Sequence, residues 1–204
     1  MAPEINIMDM MSISEIEPGL FIGNSNVSWH LPTLTERSIT SVVSIEPNRH
    51  GSWGTSYYRA QVPKEDHLFV AANDSSTQDL LVYMDDICNF IDKRLSKDAA
   101  GGGVLVHCLL GVSRSPTAVI AYLMRKRRES LADVTQFVKE KRNIKPNANF
   151  MEQLKVWEET GYEIWEDKQK KIPKTPYREY LERRAERLKA KGLTGNEPVG
   201  VQSL

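Results

Sequence analysis

Cysteine is scarce in this 204-residue chain, which has only Cys88 and Cys108. Two thiols cannot build a disulfide framework or a four-thiolate zinc site. So few thiols fit a reducing compartment, where a cysteine stays free. Net charge is missing as well. The 27 basic and 27 acidic side chains cancel, so bulk charge gives no reason to expect a nucleic acid or membrane partner. No apolar run approaches the ~20 residues of a membrane span. The opening residues, MAPEINIMDMMSIS, lack the basic and apolar regions of a secretory signal. Ala2 stands where N-myristoylation requires glycine. There is no internal repeat. The expected location is cytoplasmic. The run RKRR at 125–128 reads either as a nuclear or docking signal or as the solvated, dipole-compatible end of a helix.

Apolar residues make up 40% of the chain, enough for a core. The run SVVSI at 41–45 is continuous rather than alternating, as suits a strand buried on both faces. Strands are expected at 19–22, 39–45, 58–62, 67–70 and 104–107, with a turn-rich surface loop at 46–56. Residues 79–95 carry apolar side chains at 80, 81, 84, 87, 88, 91 and 95, which is helical spacing. That face takes Cys88 into the core. The segment KDAAGGG at 97–103 should end the helix. Further helices are expected at 116–127, at 131–141 with Ser130 as N-cap, and at 147–159. Strands early, helices late and some interleaving predict an α/β domain, a central mixed sheet flanked by helices.

The composition shifts near Gly161. A charged, proline-interrupted stretch leads into a helix at 177–190 with Tyr177, Tyr180, Leu181, Ala185 and Leu188 on one face, and Gly192 is its natural stop. We therefore divide the chain into a domain at 1–160 and a charged C-terminal extension at 161–204, partly helical and disordered at its end. The tail helix could dock on its own domain, bind a partner or stay exposed.

The chemistry concentrates at 107–116, HCLLGVSRSP. A strand that stops, a loop of small residues and a helix that starts form a nest of backbone N–H groups fit for a tetrahedral oxyanion. Nucleotide-binding loops of this kind usually continue into lysine. Here a thiol opens the loop instead. A thiol among such dipoles and beside a guanidinium should ionise easily, and a thiolate is a strong nucleophile toward phosphorus. Arg114 can grip two phosphate oxygens through its planar fork. The backbone of Leu109, Leu110, Gly111, Val112 and Ser113 would hold the rest. Ser115 could donate to the sulfur and ease its later departure. Pro116 suits the first helical position. His107 should point inward and order the loop.

HCLLGVSRS resembles the signature of cysteine-dependent protein phosphatases, specifically the dual-specificity branch. The resemblance covers most of 15–160 and includes VAANDSSTQDL, FID at 90–92, SRSPTAVIAYLM and KPNANFMEQL at 145–154. It implies a central sheet with helices on both sides and a shallow site. It also implies hydrolysis of phosphotyrosine and phosphoserine or phosphothreonine in protein substrates through a cysteinyl phosphate, with no metal or other cofactor. The family places its proton donor on a loop before the long helix, which is Asp74 here. Taken alone, Asp74 also fits a turn residue capping its own loop. Asp79 reads as a charge partner of the helix that follows. Asn147 and Phe150 match a family position that supports the last helix.

The deep-pocket loop of the tyrosine-specific branch is absent. The signature loop carries no lysine, which argues against inositides and RNA 5′-triphosphates, although Arg49, His50, Arg59 and Lys64 could reach the cleft. The segment at 150–165 resembles the domain end of the Yvh1-type subgroup. No cysteine follows Cys108, so the zinc domain of that subgroup is not expected here. The rival readings are a phospho-binding module without turnover and a phosphatase of lipid, nucleotide or RNA phosphates.

Overall fold

A computed structural model describes residues 10–96, 102–197 and 199. Most of the expected helix terminator at 97–103, the first nine residues and half of the expected disordered end lie outside the described residues. Five strands, β1 (Ile13–Glu17), β2 (Leu20–Asn24), β3 (Ile39–Glu46), β4 (His67–Ala71) and β5 (Gly103–Cys108), form one sheet in the order β1-β2-β5-β3-β4. β1 pairs antiparallel with β2, and every other pairing is parallel. The sheet is thus mixed and helix-flanked, as expected.

The burial explains the continuous run in β3. Val43, Ile45, Val104 and Val106 face one core, which α4 (Leu81–Leu95), α5 (Arg114–Arg127), α6 (Leu131–Lys141) and α7 (Ala148–Glu159) also pack into. Phe21, Ile39, Val42 and Leu105 face a second core, closed by Val27 of α1 (Ser25–Ser28), Leu34 of α2 (Leu31–Glu36) and Trp53. Neighbouring residues on a strand point to opposite faces, so a strand covered on both sides must be apolar throughout.

Several elements differ from the reading of the sequence. The strand expected at 58–62 is a helix, α3 (Ser56–Gln61). Thr55 caps it by accepting from the Tyr58 amide at 3.5 Å, and β4 already occupies the sheet edge beside β3. β1, α1 and α2 were not anticipated from periodicity, because each is only four to six residues long. Helix α5 begins at Arg114, which puts Pro116 third in the helix rather than first. A proline is harmless there, since the first four N–H groups of a helix have no internal partner. Ser130 caps α6 as read, accepting from the Asp133 amide at 3.2 Å.

The tail continues the fold. Helix α8 (Thr175–Ala190) buries Tyr177, Tyr180 and Leu188, and the two tyrosines belong to the main core. Ala185, placed on the buried face by the spacing, is exposed. Gly192 takes a φ of +66° just past the helix, the conformation a C-terminal stop requires. The RKRR side chains are largely engaged. Arg125 meets Asp85 at 3.1 Å and Asp92 at 2.8 Å, Lys126 and Arg127 both pair with Glu17, and Arg128 lies over the Tyr162 ring.

Candidate active site

Parallel strands end together at one edge of the sheet, and ligand crevices in such sheets form beyond their carboxyl ends. Cys108 is the last residue of β5, Glu46 the last of β3 and Asn24 the last of β2, and Asp74 follows β4 by three residues. The sequence-predicted residues are therefore gathered by topology.

The loop 109–113 bridges β5 and α5. Its carbonyls are all taken from outside. The Leu109 carbonyl accepts from the Ser25 amide at 3.3 Å, and the Val112 carbonyl from the Lys145 amide at 2.8 Å. The Leu110 and Gly111 carbonyls accept from the Arg142 guanidinium at 3.4 and 2.7 Å. The Ser113 carbonyl accepts from the Thr117 amide and hydroxyl. Among the described residues no peptide bond is cis. In a trans peptide the N–H points opposite to the preceding C=O. The amides of residues 110–114 therefore turn to the concave side. Helix α5 adds its own N-terminus, which carries no side-chain cap.

Cys108 is 2% exposed at the base of this cradle. The Ser115 hydroxyl, fully buried, donates to its sulfur at 3.3 Å. The Arg114 guanidinium is anchored by one bond, to the Ala72 carbonyl at 3.0 Å, and its Nε lies 3.7 Å from Asp74 Oδ2. Asp74 is partly exposed. Its Oδ1 accepts from Asn147 Nδ2 at 2.7 Å and from the Ser113 hydroxyl at 3.0 Å. Asn147 also caps α7, accepting from the Phe150 amide at 2.9 Å. One asparagine thus fixes both the helix and the carboxylate. Asp79 lies away from this cluster. It is buried and accepts from the Leu81 amide at 2.9 Å, as a helix-start partner does. Burial raises its carboxyl above the ordinary range.

His107 is completely buried, and its position follows from a relay. Arg59 can only donate, so its contact at 3.4 Å makes His67 Nδ1 an acceptor. His67 Nε2–H then donates to the Ser44 hydroxyl at 2.9 Å, and that hydroxyl donates to His107 Nε2 at 2.6 Å. The remaining nitrogen, Nδ1, faces the Glu46 carboxylate at 3.9 Å. Burial pushes both imidazoles down to about 3, helped at His67 by Arg59 and Arg49 and at His107 by His67 and Arg114. His107 thus points inward and is hydrogen-bonded, with its imidazole held toward the neutral form. Cys88 lies in the core, and burial pushes its thiol up to about 12.

A cleft of about 660 Å³ opens beside the loop, lined among others by Trp29, Arg49, His50, Leu109 and Arg114. Trp29 and His50 stack at 4.0 Å. Leu109, which lines it, is 60% exposed, and the neighbouring Leu110 is 67% exposed. Arg49 and His50 therefore do reach the cleft. Arg59 is directed to His67 and the Trp53 ring, and Lys64 is not among the lining residues. Arg142, Ser25 and Glu46 were missed in the sequence. Arg142 stands in an ordinary basic helix end, KEKRN. Ser25 donates to the Cys108 carbonyl at 3.3 Å and to Glu46. No local pattern marks either partner, because the contacts join positions far apart in sequence.

A scan of family models matches the dual specificity phosphatase catalytic domain over residues 20–160. Tyrosine-protein phosphatase yvh1 of Schizosaccharomyces pombe is 35% identical over 186 residues, 89% of this chain and 50% of that protein. Human dual specificity protein phosphatase 7 is 38% identical over 149 residues, 72% of this chain and 33% of that protein. The chain thus spans half or less of these relatives' length. The crystal structure of the Yvh1 phosphatase domain from Chaetomium thermophilum superposes with a TM-score of 0.65 at 29% identity, covering 74% of this chain and 97% of that one. With the signature loop built at the end of β5 and the match spanning the sheet and the helices around it, the chain belongs to the dual specificity phosphatase catalytic domain family.

Proposed function

We propose that this protein is a phosphoprotein phosphatase that hydrolyses phosphotyrosine and phosphoserine or phosphothreonine through a cysteinyl phosphate. The cradle amides and Arg114 bind the phosphate dianion and stabilise charge spreading over its oxygens. The Cys108 thiolate attacks phosphorus in line. The bond to the ester oxygen breaks, and that oxygen takes its electron pair and the Asp74 proton. In the second step the Asp74 carboxylate removes a proton from water. The water oxygen attacks phosphorus, the S–P bond breaks, and the sulfur leaves as a thiolate steadied by the Ser115 hydroxyl. Inorganic phosphate departs and Asp74 is protonated again. The open cleft, with the exposed Leu109 in its lining, favours short and long phosphorylated side chains alike.

The observation that carries this reading is the Ser115 hydroxyl on the Cys108 sulfur, at the base of a loop whose carbonyls are all held outward. Cys108→Ser should abolish turnover of p-nitrophenyl phosphate and of phosphopeptides while inorganic phosphate still binds. A variant that keeps its turnover would overturn the reading. A panel that adds phosphoinositides and triphosphate-ended RNA tests the substrate class, with phosphopeptides expected to lead.

A further inference from the structure

The loop that carries Asp74 is held from two sides. On the active-site side, Ser113 and Asn147 grip the carboxylate itself. On the far side the grip comes from the C-terminal segment, which lies beyond the family match ending at residue 160. Tyr177 donates its hydroxyl to Asp79 Oδ2 at 2.8 Å, and Arg184 Nε donates to the Thr77 carbonyl at 2.7 Å. A second layer runs through α7. Asn149 Nδ2 donates to the Ser75 and Gln78 carbonyls at 3.1 and 2.7 Å. Its Oδ1 in turn accepts from the Tyr180 hydroxyl at 3.1 Å and from Arg187 at 3.4 Å. Arg183 and Arg187 pair with Glu152 at 2.8 and 3.0 Å and lock α8 onto α7. Residues 75, 77, 78 and 79 all hang on this helix or on its immediate partner.

We propose that α8 is a positioning element for the proton donor, with Tyr177 and Arg184 as positioning residues for Asp74. A proton donor must come within about 3 Å of the oxygen it protonates. A displacement on the order of 1 Å can cost about a hundredfold in rate. Asp74 follows β4 by only three residues, and the rest of its loop makes the turn into α4. The loop's far end therefore sets where the carboxyl stands. Tyr177 and Arg184 touch no substrate atom and act only through residues 77 and 79.

The inference rests on the reading of Asp74 as general acid, and its test separates the two. Tyr177→Phe, Arg184→Ala and the pair are assayed in the full chain with two substrates. One is a phosphothreonine peptide, whose alkoxide must be protonated as it leaves. The other is p-nitrophenyl phosphate, whose phenoxide leaves without help. The expected result is a fall in kcat/KM of roughly tenfold or more on the peptide, within the range a general acid contributes, and a change within about twofold on the aryl ester. Arg184→Lys, which keeps a donor for the Thr77 carbonyl, should recover most of the loss. Tyr177→Phe keeps the buried ring, so it remains a folded test where the pair unfolds. Equal losses on both substrates would mark α8 as structural only, and no loss would leave it without a role; either overturns the proposal. Asp74→Asn is run in parallel. If it loses both substrates equally, the general-acid reading falls and this inference with it. If it alone is substrate-selective, only the role of α8 falls.

Discussion

Gly111 is held at a φ of +69° where the signature loop folds against β2, and a Cβ there would stand 2.5 Å from the Gly23 carbonyl oxygen and from Arg142 Nη2. The left-handed conformation alone costs a non-glycine residue about 1–2 kcal/mol. Relieving the clash adds a strain of about 1–3 kcal/mol, and it can be relieved only by moving the carbonyls that Arg142 holds. Gly111→Ala should therefore lower the denaturation midpoint and also weaken inhibition by vanadate, since the cradle amides move with the carbonyls. A variant with unchanged midpoint and unchanged inhibition would contradict the outward-carbonyl account of the loop. At this scale the sequence is most legible where the chemistry is contiguous. Cys108, Arg114 and Ser115 lie within eight positions, and a strand-loop-helix can bring them together in only a few ways. Asn147 is half legible. The resemblance implies that it supports the last helix, but its cap on that helix shows only in the structure, and its grip on Asp74 spans 73 positions. Arg142 has no signature at all, although it holds two carbonyls of the loop.

The elements were legible in proportion to their length. Helices α4 to α7 repeat an apolar face several times, and their expected positions hold to within two residues. The tail helix also forms where its tyrosines and leucines predict, and its apolar face is spent on its own domain. Short elements gave no such repeat. The aromatic and β-branched content of 58–62 favours a strand, yet Thr55 caps a helix there and the sheet edge is occupied. The tyrosines were legible as one face of α8. Their polar ends were not, because the Asp79 and Asn149 partners lie 98 and 31 positions away. What sequence periodicity cannot give is which element a face meets, and here that determines how the loop carrying Asp74 is held.

A buried polar relay joins β4, β3 and β5, and this gives the molecule a pH signature. His67 and His107 are depressed to about 3 in the fold, against an ordinary value near 6.5 in the unfolded chain. The unfolded state therefore binds more protons below about pH 6.5, and stability falls with decreasing pH until the folded values are reached. Each histidine contributes a slope of roughly 1.4 kcal/mol per pH unit in that window. Denaturant unfolding at pH 7.5 and pH 5 should show His67→Asn losing less stability on acidification than the parent chain; equal losses would remove the relay from the account. The central claim concerns one sulfur at the sheet's carboxyl edge, and it can be read directly. p-Nitrophenyl phosphate, whose phenoxide leaves without an acid, mixed with excess Asp74→Asn protein, quenched in acid within the first turnover and digested, should yield the peptide carrying Cys108 with phosphate on sulfur, and a Cys108→Ser control should yield none. Hydrolysis that proceeds with no phosphate ever found on Cys108 would contradict the account.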